Sequence, residues 1–237
     1  MKSIQSVTVW GDSVMRGVVF DEEKGKYTLL PESGAAKASR ALGLELNNRS
    51  RMGCTVTKGL SIMQKDLQSD LSSEVALIEF GGNDCDYNWE EVAARPEDAH
   101  QPKTPLILFE NQLTDMVQLS RQKGMTPVMM TLPPIHAQRY FDFFTRSGLH
   151  KENILKWLGD VEFIYRWHER YNAAVVRVAQ KCSCLLADVR EVFLGQWHYE
   201  DWLCVDGIHP NAKGHAAIDA VLEDFGFRHS AERVVAG

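Results

Sequence analysis

Four absences narrow what this 237-residue chain can be. It holds no apolar run near the roughly 20 residues that a membrane-spanning helix needs. It has no basic excess: 26 Lys and Arg face 32 Asp and Glu, a formal charge of −6, so the footprint of a nucleic-acid binder is missing. No secretory pattern follows Lys2, because Gln5, Ser6 and Thr8 interrupt the apolar stretch and Gly11-Asp12 comes at once. A cytoplasmic protein is the expectation. Finally, no repeat, low-complexity tract or Pro/Gly linker divides the chain, which predicts a single domain over residues 1–237.

Cysteine is sparse in a telling way. Cys54, Cys85, Cys182, Cys184 and Cys204 are odd in number and scattered, which argues for reduced thiols rather than a disulfide framework. One residue separates Cys182 from Cys184, where zinc ligand pairs have two to four, so no metal and no cofactor is expected.

What is present is an alternation of short apolar runs and helical patterns. Ile4–Trp10, Leu44–Asn48, Val75–Phe80, Thr126–Leu132 and Cys184–Val189 read as strands, and the third and fourth are apolar enough to be covered on both faces. Helical periodicity predicts Ser33–Leu42, Thr57–Leu71, Leu106–Lys123, Asp160–Lys181 and Asn211–Phe225. A further helix is expected to start at Ser13. The order predicts a three-layer α/β/α sandwich, flavodoxin-like and doubly wound, on a parallel five-stranded sheet. Ligands bind such sheets beyond the carboxyl ends of the strands.

Four segments fall at that edge. "VWGDSVMRG" follows the first strand, "NRSRMGCT" the second, "GGND" the third and "CVDGIHPNAKGH" the fifth. Ser13 at a strand-to-helix turn is also what a helix cap looks like, so its partners decide the matter. His209 can accept the Ser13 proton, and Asp206, three residues earlier, can hold the imidazole in the required tautomer. Unpaired N–H groups and the helix dipole at Ser13 favour developing negative charge. Oxyanion donors are available in the Ser13 N–H, the Gly53 N–H and the Asn83 side chain.

In these blocks the sequence resembles the SGNH or GDSL hydrolase superfamily. Gly11-Asp12-Ser13 matches its first block, with Ser13 as nucleophile, and Gly53 matches the glycine of the second. Gly81-Gly82-Asn83-Asp84 matches the third, and Asp206-Gly207-Ile208-His209 the last. Val14 stands where the family usually has Leu. The blocks spread over residues 5 to 225. The resemblance implies a metal-independent serine esterase, with Ser13, Asp206 and His209 catalytic and Ser13, Gly53 and Asn83 forming the oxyanion hole. Its substrate would be a small ester, with short acyl groups and acetylated carbohydrates favoured and a lysophospholipase or thioesterase as alternatives. No nucleic acid and no membrane insertion are expected, and a homo-oligomer stays open.

The other candidates have blander readings. Asp12 reads as a turn or capping residue and Asp84 as a support of its loop through hydrogen bonds, Asp201 lacks the spacing of Asp206, and His215 and His168 read as structural. His136 could line the cleft. Cys54 and Cys85 sit near it without a context that would activate a thiol. The aromatic stretch Tyr140–Tyr171 is expected to be mostly core, and part of it, with Asn88–Thr104, to form the cleft rim or an oligomer contact. Two other classes compete with an enzyme. One is a silent carbohydrate-binding or regulatory module; the other, a nucleotide-binding protein, is disfavoured because no phosphate-cradling glycine run follows the first strand.

Overall fold

The computed structural model describes residues 4–32, 34–69, 71 and 73–235. Among them the chain runs β1 (Ser6–Trp10), α1 (Ser13–Arg16), β2 (Val18–Asp21), β3 (Lys26–Leu29), α2 (Gly34–Ala41), β4 (Glu45–Asn48), α3 (Val56–Gln68) and β5 (Val75–Ile78). It continues through α4 (Trp89–Ala94), α5 (Leu106–Gln122), β6 (Thr126–Met130), α6 (Ala137–Thr145), α7 (Lys151–Leu158), α8 (Glu162–Lys181), β7 (Leu185–Ala187), α9 (Val189–Leu194), a 3₁₀ turn (Tyr199–Trp202) and α10 (Ala212–Val235). The expected helix start at Ser33 lies outside the described residues.

The central sheet has the order β4-β1-β5-β6-β7, every neighbouring pair parallel. This is the doubly wound order predicted, with helices on both faces. Strand alternation supplies the two faces. Ala76, Ile78 and Met129 pack with α3, α5 and α8 on one side, whereas Leu77, Val128 and Met130 pack with α2, α9 and α10 on the other. The strand order reverses between β1 and β5, so a crevice opens at their carboxyl ends.

The chain departs from expectation just after Ser13. The helix there is a single turn, closed by Gly17 at φ 80°, and the chain then folds into the antiparallel β2–β3 hairpin. A one-turn helix has little macrodipole, so charge stabilisation at Ser13 must come from individual donors. The hairpin had a legible signal: two short strand-forming runs around "DEEKG", with Gly25 at φ 59° in the turn. Helices α4, α6 and α7 were also not expected. They carry a third apolar cluster, built on Trp89, Val92, Phe141, Ile154 and Ile164, above the crevice.

Candidate active site

The four segments at the carboxyl edge do not behave alike. The first and last meet. Ser13 Oγ lies 2.9 Å from His209 Nε2, and His209 Nδ1 lies 2.6 Å from Asp206 Oδ2, although 196 residues separate Ser13 from His209. All three side chains are buried.

Local chain geometry explains the Asp206–His209 pair. Asp206 Oδ1 accepts the backbone N–H groups of Ile208 and His209, both at 3.1 Å, and Gly207 turns the chain at φ 72°. A Cβ at Gly207 would stand 2.8 Å from the His136 carbonyl, because this loop is pressed onto the start of α6. Burial pushes the Asp206 carboxyl upward, but the His209 hydrogen bond and the two backbone donors outweigh it, and its pKa ends below the ordinary value. Asp206 is therefore an acceptor. Nδ1 of His209 carries the proton, and Nε2 is left to accept from the Ser13 hydroxyl.

The β2–β3 hairpin adds a residue that no motif had marked. The Tyr27 ring lies 5.0 Å from the His209 ring, and burial first, then the charge of the nearby Asp206, pushes the phenol pKa up. The phenol thus stays a donor. Phe20 and Phe143 close around Tyr27, with the Arg146 guanidinium over the Phe143 ring at 3.6 Å.

A second acidic group lies on the other side of Ser13. Asp12 Oδ1 accepts the Val14 N–H at 2.8 Å, the capping role expected of it, and Asp12 Oδ2 accepts from Asn83 Nδ2 at 2.9 Å. Only a donor can face that oxygen, so Asp12 orients the Asn83 carboxamide and leaves its second N–H free for another acceptor. Beneath them, Glu79 Oε2 accepts the Asp12 backbone N–H at 3.2 Å, and its side chain hydrogen-bonds the Asp12 carboxylate. Burial first, then the Asp12 charge, drives the Glu79 pKa well above its usual range, so Glu79 holds the proton of the pair. Gly11 permits this approach, since a Cβ there would lie 2.9 Å from Glu79 Oε2. A single Glu inside the apolar run "VALIEF" was the available sequence signal.

Asp84 also supports the loop, as expected. Its Oδ1 accepts the Val56 N–H at 2.9 Å, and burial pushes its pKa up to about 7.

Ser13, Asn83 and His209 line one cleft together with Asp12, Glu79 and Leu132. Its cavity is about 90 Å³. The rim is aromatic. Trp89 comes from the 88–104 stretch, while Tyr140, Phe163 and Trp167 come from the 140–171 stretch. Trp89 stacks on Phe144 at 4.6 Å, and Phe163 on Trp167 at 5.6 Å. Both stretches therefore border the cleft.

Gly53 is not among the residues lining that cleft. It sits exposed at φ 69° and borders a separate shallow depression with Arg51, Met52 and Lys58. His136 is not in the cleft lining either: it caps α6, accepting the Arg139 N–H on Nδ1 at 3.2 Å. His215 is buried, with Nε2 at 3.3 Å from the Val18 carbonyl. His168 is core but reaches the cleft wall. Burial and the nearby Arg190 hold it neutral, its pKa pushed down to about 3, and its Nδ1 has no partner among the described residues. Burial raises the Cys54 thiol to about 11 and the Cys85 thiol well above its usual value, so neither is an activated nucleophile. Among the described residues, no group of three His, Cys, Asp or Glu is placed to hold a metal ion, and no helix is long and apolar enough to cross a membrane.

A buried Ser–His–Asp relay at the switch point of a doubly wound parallel sheet defines a class of hydrolase. Within that class the GDSL-like Lipase/Acylhydrolase family matches residues 9–217, and the chain belongs to it. Solved structures share the fold. A lipase/acylhydrolase from Enterococcus faecalis superposes with a TM-score of 0.65 at 15% identity, covering 95% of this chain and 97% of that one. LAE5, an alpha/beta hydrolase enzyme from the metagenome of Lake Arreo, gives 0.66 at 20% identity over 96% and 97%. A catalytic mutant of an acetylxylan esterase from Geobacillus stearothermophilus gives 0.62 at 17% identity over 95% of each chain. No curated protein matches the chain by sequence. The protein is a hydrolase acting on ester bonds.

Proposed function

We propose that the protein hydrolyses short-acyl carboxylic esters through an acyl-enzyme on Ser13. The observation that carries this reading is the unbroken chain of contacts from Ser13 Oγ through His209 to Asp206. Ser13 Oγ forms a bond to the ester carbonyl carbon while its proton passes to His209 Nε2. Asp206 stabilises the resulting imidazolium. The tetrahedral oxyanion takes hydrogen bonds from the Ser13 N–H and the free N–H of Asn83. A third donor, the Gly53 N–H, rests on the family resemblance alone. Collapse breaks the ester C–O bond, and His209 returns the proton to the leaving alkoxide. Water, deprotonated by His209, then attacks the acyl-enzyme, and Ser13 leaves with the proton restored.

A cavity of about 90 Å³ walled by aromatic rings supports a small acyl group over a long chain. The same walls offer ring faces to a sugar, so acetylated carbohydrates remain within the substrate class we propose. The protein is proposed to work in the cytoplasm, without metal or cofactor.

The test compares wild-type protein with Ser13→Ala on a panel of acetyl to long-acyl esters and acetylated sugars, with a serine-directed phosphonate as label. We expect turnover and labelling in the wild type, highest for short acyl groups, and both lost in a folded Ser13→Ala protein. Replacing a small residue in a one-turn helix costs about 1 kcal/mol or less, so folding is retained. An unlabelled, inactive wild type would point instead to a silent binding module. Turnover that survives in the variant would reject Ser13 as nucleophile.

A further inference from the structure

The loop after β4 gathers positive charge beside the cleft of a protein that is negative overall. Arg49 N donates to the Val9 carbonyl at 2.8 Å and Arg51 N to the Gly11 carbonyl at 3.1 Å, so the loop runs alongside β1 up to the Ser13 turn. Arg49 is committed to Asp66, donating through Nε at 2.9 Å and through an ion pair. Arg51 is not: like Arg16, three residues after Ser13, and Lys58 on α3, it is exposed and forms no ion pair among the described residues.

Two facts tie this patch to the reaction site. Cys54 lines the depression that Arg51 and Lys58 border, and its thiol is close enough to Asp12 and Asp84, on the acidic side of the cleft, to feel their charge as well. Arg16, Arg51 and Ser50 border one depression of about 380 Å³. Ser50 is 2% exposed, yet its hydroxyl has no hydrogen-bond partner among the described residues. A buried hydroxyl without a partner carries a desolvation cost that an arriving acceptor would relieve.

We propose that this depression is a subsite for an anionic group, a phosphate or a carboxylate, on the leaving-group half of the ester. Guanidinium forks suit such oxyanions, and the Ser50 hydroxyl supplies a further donor. With a net charge of −6, the rest of the surface repels anions at long range, so the patch selects by position. The inference rests on the esterase reading for its role in turnover, but not for the binding itself.

Three matched acetates test it: 4-acetoxybenzamide, 4-acetoxybenzoate and 4-acetoxyphenyl phosphate. At low salt we expect kcat/KM for at least one anionic ester to exceed that of the neutral amide by about three- to tenfold. The excess should shrink in Arg16→Gln/Arg51→Gln and at high salt, where the Debye length contracts. The two anionic arms separate phosphate from carboxylate recognition. Lys123→Gln, exposed at the end of α5 near the amino edge of β6, should keep the preference. A neutral ester cleaved as fast as both anionic ones, or a preference that the double variant retains, overturns the subsite and leaves the esterase standing. Binding is read separately from the Ser50 and Arg51 amide shifts with inorganic phosphate and 4-hydroxybenzoate in Ser13→Ala. Shifts lost in a triple variant that adds Arg16→Gln and Arg51→Gln support the subsite even without turnover. No shift with either anion rejects it.

Discussion

Asp206 and Glu79 both have almost no exposed surface, lie near the same serine and end in opposite protonation states. Asp206 sits in a tight turn that aims two backbone N–H groups and an imidazole N–H at it. Those donors outweigh desolvation, and the carboxylate stays charged. Glu79 faces another carboxylate across a shared hydrogen bond, and burial there has no cation to offset it, so it keeps its proton. Burial alone therefore predicts neither state; the local count of donors and like charges does. The charged group orients the base, and the neutral one keeps Asp12 and Asn83 in register.

The comparison can be broken at its charged end first. Asp206→Asn should lower kcat by roughly 10⁴-fold, because an amide N–H facing Nδ1 favours the wrong imidazole tautomer. Single-turnover kinetics on a short-acyl ester measure this, with circular dichroism checking the fold. A loss under tenfold would mean that His209 does not depend on Asp206.

Glu79→Gln attacks the neutral end and should change kcat/KM by no more than about threefold, because an amide N–H can still donate to Asp12. Glu79→Ala leaves Asp12 without that donor and should cost about 1–3 kcal/mol of stability. The pH dependence carries the sign. A carboxyl whose pKa is raised by folding binds more protons folded than unfolded, so its ionisation erodes stability as pH rises above about 4. Denaturation of Glu79→Gln from pH 5 to 8 should show a shallower decline than the wild type. An unchanged slope would show that Glu79 is not the proton holder.

The smallest effect is expected at Tyr27→Phe. It removes a hydroxyl near Asp206 while keeping the ring on His209, and should lower kcat/KM by about fivefold or less. A raised KM at unchanged kcat would assign Tyr27 to the substrate instead.

Sequence reading reached some parts of the fold far better than others. Helices α5 and α8 are long and strongly periodic, and the structure ends them within two residues of the expected bounds. The hairpin from Val18 to Leu29 escaped, because Ser13 and Asp12 carry helix-start chemistry that a single turn already satisfies. Helices α4, α6 and α7 are too short for periodicity to register, and their aromatic faces are set by one another rather than by neighbours in sequence.

At the site, the sequence by itself determined which residue types lie past which strands, because a parallel sheet with right-handed crossovers puts all carboxyl ends on one edge. Ser13, Asn83, Asp206 and His209 were legible on that basis. Tertiary structure alone decided their company. It set Tyr27 on the imidazole, Glu79 beneath Asp12, aromatic walls over the cleft and Gly53 with the cationic loop outside it. The reason is range. Strand order follows from periodicity a few residues long, whereas protonation, amide orientation and pocket shape depend on atoms that meet only after distant segments have packed.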